Sequence, residues 1–71
     1  MLNNVNDAIT NYLKSIKIDS AKPESHYNLG NAYCIKQDFK NAITAYEWTI
    51  QLDSHNALAN YNLGNAYYLM N

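Results

Sequence analysis

At 71 residues, with 48% apolar and 15% charged residues and a net charge of −1, the chain allows one small domain and is too apolar for disorder. Five dispersed lysines and no arginine exclude an electrostatic footprint for nucleic acid or an anionic membrane. A single cysteine, Cys34, excludes an intrachain disulfide, and two glycines with one proline are too few for a turn-rich β fold.

The first segment, about residues 4–19, carries Val5, Ala8, Ile9, Tyr12, Leu13, Ile16 and Ile18 at spacings of three and four, the stripe of an amphipathic helix. Asn4 is placed to cap it, with Asp7 in the first turn where the helix dipole favours an anion. A short connector, Asp19-Ser20-Ala21-Lys22, leads to Pro23, which suits the first position of a second helix over about 23–36. Gln37-Asp38 interrupts that helix, and Asp38 is a good N-cap for a third over 39–52, with the stripe Phe39, Ala42, Ile43, Tyr46 and Ile50. After Asp53-Ser54-His55, Asn56 is placed to cap a fourth helix over 57–70. Connectors this short make the neighbouring helices antiparallel.

The four segments are two elements used twice. Tyr27-Asn28-Leu29-Gly30-Asn31-Ala32-Tyr33 returns unchanged as Tyr61-Asn62-Leu63-Gly64-Asn65-Ala66-Tyr67, an offset of 64 − 30 = 34 residues. At the same offset Ala42, Ile43, Thr44, Tyr46, Ile50, Asp53 and Ser54 repeat Ala8, Ile9, Thr10, Tyr12, Ile16, Asp19 and Ser20. A mid-helix glycine is unfavourable by roughly 1 kcal/mol relative to alanine, so glycine at equivalent points implies close helix approach. Gly30 is expected to face Ala42, with Leu29, Tyr33, Ile43, Tyr46 and Ile50 filling around the contact.

On these residues the chain resembles the tetratricopeptide repeat family. Leu29-Gly30, Tyr33, Ala42 and Tyr46 match the family pattern of a 34-residue helix–turn–helix unit. Thr49 stands where the family has a small residue, Ser54 where it has proline, and His26 where a large aromatic is usual. The resemblance covers the whole chain and implies an all-α solenoid. In the family's terms the glycine-bearing helix is A and its partner B, so the order here is B-A-B-A. One whole unit (23–56) lies between two half units (1–22 and 57–71), out of the family's usual phase.

The resemblance implies a protein-interaction scaffold without catalysis or cofactor. Consistently, Cys34, His26 and His55 have no metal-ligand spacing, and no serine, histidine and carboxylate assemble. His26 reads as a helix-surface or packing residue, and His55 as a connector residue. Trp48 falls where the first copy has Lys14, which predicts a mostly solvent-facing position on the convex side. In the family the A helices line a concave groove that holds extended peptides or partner helices. Residue by residue this implies a groove of Tyr27, Asn28, Asn31, Tyr61, Asn62, Asn65 and Tyr68, with Glu24, Cys34 and Leu58 beside them. Asparagine is a modest helix former, so two per A helix ask for a reason. Either their amides, which both donate and accept, read a peptide backbone, or they are residues kept by the repetition. Members of the family that clamp acidic tails use lysine and arginine on successive A helices. Here the corresponding positions hold Glu24, Tyr27, Leu58 and Tyr61, so a neutral segment or another helix is the expected partner.

The stretch from Ser54 to Asn71 contains no Asp, Glu, Lys or Arg. Its Leu58, Leu63, Tyr67, Leu69 and Met70 form the candidate self-association surface of a homo-oligomer. The A helix at one end lacks a following B, and the B helix at the other lacks a preceding A, so docking them would complete a repeat between chains. A two-fold dimer of the last helix is the rival. No run is long enough to span a bilayer and none resembles a signal peptide, which points to a cytoplasmic location and to no membrane partner.

Overall fold

The computed structural model describes residues 4–70 and contains four helices: α1 (Val5–Ile18), α2 (Pro23–Ile35), α3 (Phe39–Leu52) and α4 (Ala57–Met70). The predicted helices are all present and their ends agree to within a residue. The caps explain this agreement. Asn4 Oδ1 accepts from the Asp7 amide, Asp38 Oδ1 from the Asn41 amide and Asn56 Oδ1 from the Ala59 amide. Each such cap contributes about 1 kcal/mol. Pro23 opens α2, where its missing N–H costs nothing.

The connectors also repeat. Asp19 Oδ1 accepts the Ala21 amide at 3.0 Å, and Asp53 Oδ1 accepts the His55 amide at 3.2 Å. The carboxylate closes the turn in both copies, which is why Ser54 suffices where the family pattern has proline. The α2–α3 turn is of a different kind. The Gln37 amide bonds to the Cys34 carbonyl and the Asp38 amide to the Tyr33 carbonyl, each at 2.9 Å. This pair of bonds is a Schellman end, with Gln37 left-handed at φ 63°. It stops α2 at Ile35, one residue short of the expected end, and leaves Asp38 free to start α3 at once.

Each helix packs on its chain neighbours, and the result is a slab of 30 × 29 × 16 Å. The A helices α2 and α4 lie side by side, joined by Asn62, and the B helices α1 and α3 back them. The core has two centres. Ile9, Leu29, Ala32 and Ala45 form one; Ala42, Ile43, Tyr46 and Ala66 form the other. Tyr46, 1% exposed, is the largest side chain buried outright.

The glycine contact differs from its expected form. A Cβ on Gly30 would lie 2.6 Å from Tyr46 Cε1, so the glycine makes room for the Tyr46 ring, and Ala42 belongs to the same buried cluster as that ring. At Gly64 a Cβ would meet nothing within 4 Å. Identical heptapeptides therefore sit in opposite environments.

On the convex side Trp48 is half exposed and not simply solvent-facing. Its ring stacks on His26, with centroids 5.8 Å apart and planes at 24°. His26 is buried, and its Nε2 lies 3.0 Å from the Ser20 carbonyl oxygen. A carbonyl can only accept, so Nε2 carries the proton and fastens the α1–α2 connector to α2. The stacked pair supplies the aromatic bulk that His26 alone lacks. Together with Leu13, Ile16 and Leu29 it walls a cavity of about 250 Å³.

Candidate functional site

The groove side of α2 and α4 is organised by one polar network. Tyr46 reaches through from α3 beneath Gly30, and its hydroxyl donates to Asn31 Oδ1 at 2.5 Å. Asn62 Nδ2 donates to that same oxygen and to Tyr27 Oη, both at 3.2 Å. Cys34 Sγ lies 3.5 Å from Tyr46 Oη, and the Tyr27 and Tyr46 rings are tilted against each other at 6.0 Å. Burial, with the Cys34 sulfur beside it, pushes the Tyr46 phenol well above its ordinary value. The hydroxyl therefore stays protonated and donating throughout the neutral range.

Two cavities open on this side. One, of about 230 Å³, is lined by Tyr12, Asn28, Asn31, Ala32 and Ile35, with Val5 and Ala8 at its edge. The other, of about 260 Å³, is lined by Tyr46, Asn62, Asn65, Ala66 and Leu69, with Asn31 and Cys34. The first five residues of each set correspond at an offset of 34. The cavities are thus successive copies of one site, and Asn31 belongs to both. Neither lining contains a charged side chain. What they offer is apolar wall with amide donors and acceptors, the chemistry that suits an uncharged backbone.

The expected groove residues separate into three groups. Asn31 and Asn62 are bonded to the protein itself, and Tyr27 joins them at the rim. Asn28 and Asn65 line the cavities with amides that bond no side chain among the described residues. Tyr61 and Tyr68 line neither cavity and are 68% and 80% exposed. Among the residues expected to self-associate, Leu58, Tyr67, Leu69 and Met70 are exposed. Leu63 differs from them in being half-buried against the Ala42–Tyr46 cluster. Tyr67 donates its hydroxyl to Glu47 at 2.9 Å, which raises its phenol above the usual range.

Tyr12, Tyr46 and Ile35 also line the cavities, beyond the residues that the family resemblance implies. The tyrosines belong to the B helices, which the family pattern assigns to the far side. Their recurrence at the 34-residue offset, opposite each A helix, was the available signal.

Among the described residues no group of His, Cys, Asp and Glu is placed to hold a metal ion, and no helix is long and apolar enough to cross a membrane. Paired helices stacked at a fixed repeat, with like cavities on one face, define a helical-repeat solenoid. The chain belongs to the TPR repeat family, whose model matches residues 2–34 and again 30–71. Repeats of this family generally mediate protein–protein interaction. No curated protein matches the chain.

Proposed function

We propose that the chain is a non-catalytic scaffold that holds an uncharged segment of a protein partner, an extended peptide or a helix, across the two groove cavities. The observation that supports this best is their repetition: equivalent apolar walls with an equivalent pair of asparagines at each, Asn28 with Asn31 and Asn62 with Asn65, and no charge in either lining. Asn28 and Asn65 are the amides left to read the partner's backbone, while Asn31, Asn62, Tyr27 and Tyr46 hold the floor rigid. Preformed sites bind with less ordering cost. Titrating labelled protein with neutral extended peptides tests the reading. The side-chain amide signals of Asn28 and Asn65 should move together, and replacing either by alanine should weaken binding about tenfold, the equivalent of one hydrogen bond. Silence at both positions would remove the groove from consideration.

A second reading is favoured by the uncovered face of α4, with Leu58, Tyr61, Tyr68, Leu69 and Met70 all at least half exposed. Here the chain is a self-assembling repeat unit, and the exposed helix is covered by another copy, head to tail or about a two-fold axis. A repeat array needs about three units for stability, and association would supply the missing neighbour. Mass by light scattering over a concentration series tests it: rising mass supports assembly, and a monomer throughout removes it.

A further inference from the structure

The internal repeat specifies what fits the open face of α4. On α2, Gly30 lies under the Tyr46 ring, while Tyr27, Tyr33 and Cys34 pack against the cluster that α3 contributes. The corresponding residues of α4 are Gly64, Tyr61, Tyr67 and Tyr68. All four are exposed; Tyr67 touches α3 only through its hydroxyl bond to Glu47, and a Cβ at Gly64 would meet nothing within 4 Å. This face is a second copy of the seat that α3 occupies on α2.

The matching helix is α1. It repeats α3 at Ala8, Ile9, Thr10, Tyr12 and Ile16. Tyr12 is half-buried and lines the first cavity beside Asn28, as Tyr46 lines the second beside Asn62. We propose that α4 of one chain receives α1 of a second copy, with the Tyr12 ring seated on Gly64, so that copies stack head to tail. The proposal rests on the self-assembly reading and gives it a register.

Transferring the α2–α3–α4 network by one repeat gives the bonds across the boundary. The hydroxyl of Tyr12 donates to Asn65 Oδ1, as Tyr46 does to Asn31. Asn28 takes the role of Asn62, donating to Tyr61 Oη and to Asn65 Oδ1. Asn28 and Asn65, whose amides bond no side chain among the described residues, thereby acquire partners from opposite ends of two molecules. Such a contact is heterologous: each end complements the other end and not itself, so it continues from copy to copy.

The two seats are not identical. Asn11, Lys14 and Ser15 stand in α1 for Ala45, Trp48 and Thr49, and Asn60 and Tyr68 stand in α4 for His26 and Cys34. The first four exchanges make the contact more polar than α2 on α3. Tyr68 must turn outward where the smaller sulfur lies inward, and its 80% exposure near the helix end leaves room for that. Such a contact forms and releases with concentration, whereas α2 on α3 is permanent.

Sedimentation of the 71-residue chain and two variants provides the test. Gly64→Leu fills the seat on α4 where its own fold has open space. Asn11→Glu places a charge at an exposed site whose counterpart, Ala45, is buried. Wild-type mass should rise with concentration beyond two chains, and each variant should associate about a hundredfold more weakly, since the added bulk or unpaired charge cannot be accommodated in a packed contact. A one-to-one mixture retains one good end on each partner and should recover wild-type affinity with the mass stopping at two chains. Tyr12→Phe, which keeps the ring, should weaken association about tenfold by losing the bond to Asn65. Unchanged far-ultraviolet circular dichroism establishes that each variant folds. A wild type that stays monomeric overturns both this register and self-assembly. A mass fixed at two chains, with Asn11→Glu assembling normally, overturns the register while leaving a two-fold α4 dimer. A mixture that stays monomeric overturns the register too.

Discussion

Gly30 and Gly64 have the same three neighbours on either side and should answer the same substitution with opposite signs. At Gly30 an alanine methyl meets the Tyr46 ring, which is buried and held at its hydroxyl by Asn31, so it has nowhere to move. Overpacking of about 1–3 kcal/mol exceeds the roughly 1 kcal/mol gained in helix propensity, and Gly30→Ala should lower the midpoint of thermal unfolding. Gly64→Ala meets open space and should stabilise a dilute sample by roughly 0.5–1 kcal/mol. Tyr46 itself gives a pH dependence. Its folded phenol is raised, chiefly by burial, so the folded chain keeps a proton that the unfolded chain releases near pH 10. That contribution to stability is complete below about pH 10 and declines as the pH rises above it, by up to about 1.4 kcal/mol per unit. Thermal midpoints measured from pH 8 to 11 should fall in wild type and fall less in Tyr46→Phe. At neutral pH the variant should be less stable by about 1 kcal/mol, through the lost bond to Asn31.

Among the elements, the α2–α3 turn is the least comfortable. Its geometry needs a left-handed residue at position 37, and glutamine holds that conformation against a cost of roughly 1–2 kcal/mol. Gln37→Gly should therefore raise stability by about 1 kcal/mol, or 4–8 °C in the midpoint for a chain of this size. The same turn marks the limit of what the residue pattern could disclose. Asn4, Pro23, Asp38 and Asn56 are local signals, since each acts on backbone within three residues, and they placed the helix ends. Glutamine carries no signature of a left-handed site, so α2 was expected to run one residue further. Periodicity alone pairs Gly30 with Ala42, because it identifies which residues recur and not which atoms meet across two helices. The Asn31–Asn62 bond lies beyond such reading altogether, because it depends on how far α4 slides along α2. Its presence engages two of the four heptapeptide asparagines within the protein and leaves the amides of Asn28 and Asn65 bonded to no side chain among the described residues.

For the whole molecule, a slab 16 Å thick with two small core centres leaves a narrow margin of stability. Anything that binds the folded chain alone raises that margin by mass action. The unfolding midpoint should therefore rise with protein concentration if copies stack, and Gly64→Ala should reverse its sign from stabilising when dilute to destabilising when concentrated. A groove peptide would instead raise the midpoint at fixed protein concentration. Scanning calorimetry along both axes separates the two.

Trp48 is the one tryptophan in the chain, and its ring rests on a histidine whose Nε2 holds the connector before α2. One emission band therefore reports on three elements at once: the helix that bears the indole, the helix that bears the imidazole, and the backbone at Ser20. Fraying of the first connector would shift that band before the helical ellipticity changed. The protein thus carries its own optical probe of opening at the α1 end, where a second copy is proposed to dock.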